Sequence, residues 1–175
     1  MVTKTELRKK AKQIRSKLDI AQISAKIVAS LRTVELYQDS QDIMLFYPLE
    51  HEIDLLPLLR DEEGGKNFYL PRVEGDELVV CPYKFGDELV ESKFKTKEPI
   101  SKPVNSEILD LILVPALMID NDFYRLGYGC GFYDRFLSKN AHKALKIVPI
   151  PSALILDKLP SDEFDVQCDI MVDET

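Results

Sequence analysis

Three of the seven glycines in this 175-residue chain, Gly127, Gly129 and Gly131, stand at alternate positions in the run Arg125-Leu126-Gly127-Tyr128-Gly129-Cys130-Gly131-Phe132-Tyr133-Asp134-Arg135-Phe136-Leu137. A loop without side chains lets backbone N–H groups close on an anion, and the positive end of a following helix favours negative charge there. The motif is not a P-loop, because Phe132-Tyr133 follow the last glycine where Lys-Ser/Thr would be needed. Nor is it a dinucleotide fingerprint, which needs a glycine where Phe132 stands. Glycine spacing alone is equally what a tight turn at a helix start would show. Arg125 before the glycines and Asp134 after them point to polyphosphate, since a guanidinium pairs with phosphate and a carboxylate can hold Mg²⁺.

A second candidate stretch is Tyr47-Pro48-Leu49-Glu50-His51-Glu52-Ile53-Asp54. It follows a predicted strand at 43–47 and so lies at a strand's carboxyl end, where open α/β sheets bind ligands. Glu52 can accept from an amide-like or pterin-like donor pair through its two oxygens. Asp54 suits a cap for a helix starting at Leu55, and His51 is read as a solvated loop residue. At the N-terminus, Lys4, Arg8 and Arg15 fall on a roughly common helix face. Taken alone, that is a solvated basic face.

These stretches together resemble the 5-formyltetrahydrofolate cyclo-ligase family, also called 5,10-methenyltetrahydrofolate synthetase. The resemblance is carried by Lys4-Thr5-Glu6-Leu7-Arg8, Tyr47–Asp54, Pro71-Arg72-Val73, the Arg125–Leu137 loop and Asp169-Ile170-Met171-Val172-Asp173-Glu174, in that order. It implies ATP contacts at Lys4, Arg8 and Arg125, Leu126, Gly127, Tyr128, Gly129, Cys130, Gly131, Phe132 and Tyr133, with Arg125 catalytic. It further implies folate contacts at Tyr47 and Glu52, and Mg²⁺ as cofactor at Asp134 and Asp169. The implied reaction moves the ATP γ-phosphoryl to the formyl oxygen of 5-formyltetrahydrofolate. Attack by N10 then releases phosphate and leaves 5,10-methenyltetrahydrofolate. Such chemistry asks for positioning and charge stabilisation rather than a covalent nucleophile.

The chain departs from the family pattern at several points. Pro115-Ala116 stands for Pro-Gly, Ile119-Asp120 for a phenylalanine-aspartate pair, and Phe123 for a following glycine. Near the C-terminus, Phe164-Asp165 replaces a histidine-aspartate pair, and no glutamine stands in Leu154–Pro160. The departures bear on the shape of the folate pocket. They are also what a non-catalytic relative that binds nucleotide and folate would show.

The elements that must position these residues read as alternating helices and strands. Thr3 and Glu6 form a capping box, and Leu7, Ala11, Ile14 and Leu18 follow at helical spacing, which predicts a basic helix over about 4–18. Ile20, Ile23, Ile27 and Leu31 mark a second helix, and a third near 55–62 stops at Gly64-Gly65. Strands are predicted near 43–47, 67–70, 78–83, 111–114 and 146–150, with a short one at 169–172. Residues 84–107 read as a surface connection or flap. The fold expected is α/β, a three-layer sandwich around a largely parallel central sheet, in a single domain spanning 1–175.

Composition fits a soluble globular protein, with 45% apolar and 30% charged residues. No apolar run approaches the roughly 20 residues of a membrane span, and no secretory signal is visible. Residues 1–17 hold seven basic side chains against Glu6, leaving 16 basic and 29 acidic groups in the remainder, a net of −13. That acidic body argues against nucleic acid as a partner while leaving the basic arm for one anionic ligand. Cys81, Cys130 and Cys168 lack metal-type spacing, so a reduced cytoplasmic protein is expected. A monomer is expected too, with ATP and 5-formyltetrahydrofolate, polyglutamylated or not, as its partners.

Overall fold

The computed structural model describes residues 1–139 and 143–175. Helices α1 (Lys4–Arg15), α2 (Ile20–Thr33) and α3 (Glu35–Asp39) precede strand β1 (Asp42–Met44). Strands β2 (Asn67–Glu74), β3 (Glu77–Pro82), β4 (Leu89–Glu91), β5 (Lys97–Pro99) and β6 (Leu111–Leu113) follow. Next come β7 (Met118–Asp120), β8 (Arg125–Leu126), helix α4 (Phe132–Lys139), β9 (Leu145–Pro149), β10 (Ile155–Leu156) and β11 (Ile170–Val172).

The central sheet has six strands in the order β11-β9-β6-β1-β2-β3. All its neighbours are parallel except the β2–β3 hairpin at one edge. Strand residues alternate between the two faces. Met44, Ile112 and Val148 pack with Leu7 and Ala11 of α1 and Phe136 and Leu137 of α4. Ile43, Leu111 and Ile147 pack with Ile27, Val28 and Leu31 of α2 and with Leu58 and Leu59. Helices therefore cover both faces, giving the three expected layers.

Most predicted elements are present, with shifted ends. Helix α1 stops at Arg15 rather than 18, with Ser16 as its C-cap; Thr3 and Glu6 do form the capping box. The 55–62 segment is a 3₁₀ helix, Leu56–Gly64, closed by Gly65 at φ 94°. Asp54 accepts the Leu56 N–H at 3.0 Å ahead of it. Residues 84–107 are not featureless, since β4 and β5 pair there as a hairpin.

The connection between β6 and the glycine run contains β7 and β8, which β10 joins in a second small sheet, β10-β7-β8. Its organiser is Asp120, fully buried, whose carboxylate accepts N–H groups from Asp122, Tyr124 and Leu159. Phe123, where the family pattern has glycine, takes φ 65° in this turn. That left-handed conformation costs a bulky residue about 1–2 kcal/mol. Its ring packs against the core and its carbonyl accepts the Cys168 N–H at 2.9 Å, which offsets the strain.

Candidate functional site

The glycine run leaves β8 and enters α4, and each of its three glycines abuts a guanidinium. A Cβ on Gly127 would stand 2.8 Å from Arg125 Nη1, one on Gly129 3.3 Å from Arg8 Cζ, and one on Gly131 2.7 Å from Arg135 Nη1. Gly129 and Gly131 also adopt φ 106° and 72°, which L side chains rarely take. The loop is thus wrapped on three cations and carried to the first turn of α4. Arg8 Nε donates to the Gly127 carbonyl at 2.9 Å, and Arg135 Nη1 to the Cys130 carbonyl at 2.9 Å.

Arg125 lies beneath the loop, its side chain only 3% exposed. Its Nη2 faces Asp134 Oδ1 at 3.4 Å, its Nη1 faces the Pro115 carbonyl at 3.4 Å, and its Nε has no hydrogen-bond partner among the described residues. The guanidinium also lies over the Tyr133 ring, 5.6 Å from the centroid. A buried cation held this loosely can strengthen its interaction with an incoming anion at little cost in existing bonds.

The loop forms one wall of a cavity of about 810 Å³. Lys4 and Arg8 of α1, Tyr47 and Glu52 after β1, and the whole Arg125–Asp134 stretch line it. Every predicted ATP and folate residue therefore reaches one cavity, at the carboxyl ends of β1 and β6 as open α/β sheets dictate. Lys4 Nζ pairs with Asp165 at 2.8 Å and Asp162 at 3.0 Å. Burial pulls the Lys4 pKa down, but the two carboxylates outweigh it and leave it raised.

Glu52 also lines the cavity and is buried. Its Oε1 accepts the Leu49 N–H at 3.0 Å and its Oε2 the Tyr128 hydroxyl at 2.7 Å. Burial pushes its carboxyl up from the ordinary glutamate value, against the Leu49 and Tyr128 hydrogen bonds and the nearby Arg15 charge. His51, next to it, takes φ 61° and turns its ring to solvent beside Glu50. Arg15 sits under this loop, donating to the carbonyls of His51 and Ala116.

Asp169 stands apart from the other predicted site residues. It does not line the cavity. It lies at the amino end of β11, where its carboxylate accepts the Lys146 N–H at 2.8 Å and faces Lys146 Nζ at 3.7 Å. Parallel pairing of β11 with β9 fixes that position, since Ile170 registers with Ile147. The carboxylate that the fold brings beside Asp134 is Asp165: the next residue, Val166, donates its N–H to Asp134 Oδ1 at 3.2 Å. Asp165 carried a legible signal, as the aspartate of the Phe164-Asp165 pair. Asp162 carried none, Arg135 only its place in the glycine run and Arg15 only its helix face, because their roles depend on contacts distant in sequence.

A model of the 5-formyltetrahydrofolate cyclo-ligase family matches residues 1–174. The chain belongs to that family. It is 31% identical over 134 residues to the 5-formyltetrahydrofolate cyclo-ligase of Escherichia coli K12, covering 71% of this chain and 72% of that protein. The enzyme of the same name from Mycolicibacterium smegmatis is 36% identical over 119 residues, 64% of this chain and 55% of its own length. The fold superposes on the 5,10-methenyltetrahydrofolate synthetase of Aquifex aeolicus with a TM-score of 0.87 at 33% identity, covering 99% of this chain and 90% of that one. Family membership makes the protein an enzyme, a ligase of folate metabolism. Among its described residues no helix is long and apolar enough to cross a membrane.

Proposed function

We propose that the protein converts 5-formyltetrahydrofolate to 5,10-methenyltetrahydrofolate with ATP and Mg²⁺, releasing ADP and phosphate. The observation that carries this is the shared cavity. It brings a glycine loop backed by Arg8, Arg125 and Arg135 together with the buried carboxylate of Glu52. Cations and backbone N–H groups suit a triphosphate, while a carboxylate with two acceptor oxygens suits the paired donors of a pterin ring.

The chemistry follows from that arrangement. The formyl oxygen on N5 is a poor leaving group until it attacks the γ-phosphorus and ADP departs. The carbon then carries an oxygen bound to phosphate. N10 adds its lone pair to that carbon, the C–O bond breaks with its electron pair going to phosphate, and N10 loses its proton. Lys4 and Arg8 are placed to meet the triphosphate, and the loop N–H groups with Arg125 to stabilise charge on the transferring phosphoryl. Glu52 and Tyr47 orient the folate so that its formyl group faces the loop.

Asp134 and Asp165 are the residues we assign to Mg²⁺. Among the described residues no group of three or more His, Cys, Asp or Glu forms a metal cage. Two carboxylate donors are what magnesium takes from protein when phosphate oxygens and water complete its octahedron. The ion would neutralise phosphate charge when bound.

The test is the absorbance of the methenyl product in a mixture of protein, 5-formyltetrahydrofolate, ATP and Mg²⁺. A rise that needs all three additions supports the reading. No rise while ATP still binds would overturn it in favour of a non-catalytic relative.

A further inference from the structure

Tyr128 belongs to the glycine loop, yet its side chain meets a residue 76 positions earlier, donating its hydroxyl to Glu52 Oε2 at 2.7 Å. The backbone of the same residue stays in the loop, between Gly127 and Gly129. Tyr128 therefore joins the loop and the carboxylate that the proposed reaction assigns to different substrates.

The carboxylate it touches has little freedom. Leu49 N–H holds Oε1 and the Tyr128 hydroxyl holds Oε2, one donor on each oxygen. Each oxygen retains a second lone pair, so a bidentate donor pair on a ligand finds both oxygens available and the carboxylate plane already fixed. Beneath it, Arg15 from α1 is buried, donates to the carbonyls of His51 and Ala116 and keeps its Nε without a hydrogen-bond partner among the described residues. Arg15 thus holds the loop bearing Glu52, not the carboxylate itself. Among the described residues, Tyr128 alone donates to Oε2.

We propose that Tyr128 is a positioning residue for the folate half of the site, aiming the Glu52 carboxylate from the nucleotide loop. The inference rests on the reading of Glu52 as the folate carboxylate. It separates the two halves of Tyr128: the backbone serves the phosphates and the phenol serves the folate. It also ties folate recognition to the conformation of the loop, because the hydroxyl reaches Glu52 only while Gly127, Gly129 and Gly131 hold their present course.

The charged and titratable groups facing Glu52 are Arg15 from α1, Tyr128 from the loop and Tyr133 from α4. Burial raises the Glu52 pKa, and the Tyr128 hydrogen bond opposes that rise. Loss of the hydroxyl must raise it further, so a smaller fraction is ionised at a given pH. Binding that needs the carboxylate would then fail at a higher pH than in the parent protein.

The experiment is calorimetry of the full-length protein with 5-formyltetrahydrofolate and, separately, with a non-hydrolysable ATP analogue, across pH 5–8. Tyr128→Phe keeps the ring and removes the donor. The expected result is an affinity for the folate about tenfold weaker, the loss of one hydrogen bond to a charged group. The acid limb of folate binding should move to higher pH, and ATP-analogue affinity should stay within about twofold. Wild-type folate affinity with an unmoved limb would overturn the proposal. So would equal weakening of both ligands, which would mean that the ring merely shapes the loop. Glu52→Gln separates the layers. If it leaves folate binding intact, the underlying reading of Glu52 fails and takes the inference with it. If it abolishes binding while Tyr128→Phe changes nothing, the inference alone fails. Thermal unfolding checks that the Phe variant is folded. Should it not be, Tyr128→His, whose ring N–H can donate, gives the same readout: folate affinity within a few-fold of wild type supports the proposal, and a full tenfold loss counts against it.

Discussion

A Cβ on Gly129 would stand 3.3 Å from the guanidinium carbon of Arg8, whose Nε already holds the Gly127 carbonyl at 2.9 Å. The N-terminal helix and the glycine loop are therefore fitted to each other before any nucleotide arrives. Arg8 can give by a few tenths of an ångström, but φ 106° at Gly129 cannot be taken by alanine without strain. Gly129→Ala should lower unfolding free energy in urea by about 1–3 kcal/mol and raise the KM for ATP about tenfold. An unchanged KM would mean that the loop rearranges on binding and that its resting shape is unimportant.

Removal of the Arg125 guanidinium has two separable consequences. Its charge lies beside Asp134 and its Nη1 faces the Pro115 carbonyl, so Arg125→Ala leaves both groups without their cation and opens space under the loop. We expect about 2 kcal/mol of lost stability from those unmet groups. ATP affinity should fall at least tenfold, measured by calorimetry. Arg125→Lys should restore part of the stability through its charge but not the affinity, since a lysine cannot reproduce the planar fork. Equal ATP affinity in wild type and Arg125→Ala would remove Arg125 from the nucleotide site.

The displacement of Asp169 from the cavity makes a three-way comparison informative. Asp134→Asn and Asp165→Asn should each raise the Mg²⁺ concentration needed for half-maximal activity, because magnesium depends on few carboxylates. Asp169→Asn should leave that titration unmoved and cost only about 0.5–1.5 kcal/mol through its bond to the Lys146 N–H. A shifted titration for Asp169→Asn alone would show that the C-terminal strand moves on metal binding.

What could be read from the chain follows the range of the interactions. The capping box of α1, the α2 stripe and the strands β1, β6 and β9 were legible, since each depends on residues within a few positions. Strands β7, β8 and β10 were not. They are two or three residues long and are organised by Asp120, which reaches Leu159 39 positions away. The glycine loop was legible as an anion cradle from spacing and flanking charges. Its guanidinium backing was only partly so, because Arg8 meets Gly127 across 119 residues. Arg15 shows the same limit. Spacing placed it on a face with Lys4 and Arg8, but nothing local reveals that it is buried against the carbonyls of His51 and Ala116. That Asp169 lies away from the cavity became visible only with the register of β11.

Burial of Glu52 fixes a direction for pH dependence. Its folded pKa is raised, chiefly by burial, and the ionised form is the one that accepts a donor pair. Folate affinity should therefore be full above the folded pKa and be lost as pH falls through it, at a pH above the ordinary glutamate range. Glu52→Gln should weaken binding and flatten that limb. A wild-type limb at the ordinary glutamate pKa would show that the carboxylate is hydrated in solution.

The three thiols should differ in reactivity for reasons of place. Cys130 is exposed between Gly129 and Gly131, whereas Cys81 and Cys168 are buried. Burial pushes the Cys168 thiol up to about 11, so near pH 8 it stays protonated and unreactive. Its raised pKa also means that the unfolded chain releases this proton first, so stability should decline as pH rises from about 9. A maleimide at pH 7.5 should modify one thiol quickly, identified as Cys130 by peptide mass. ATP with Mg²⁺ should slow that modification severalfold if nucleotide covers the loop, while 5-formyltetrahydrofolate alone should not slow it directly. Modification as fast with saturating ATP as without it would place the bound nucleotide away from Cys130.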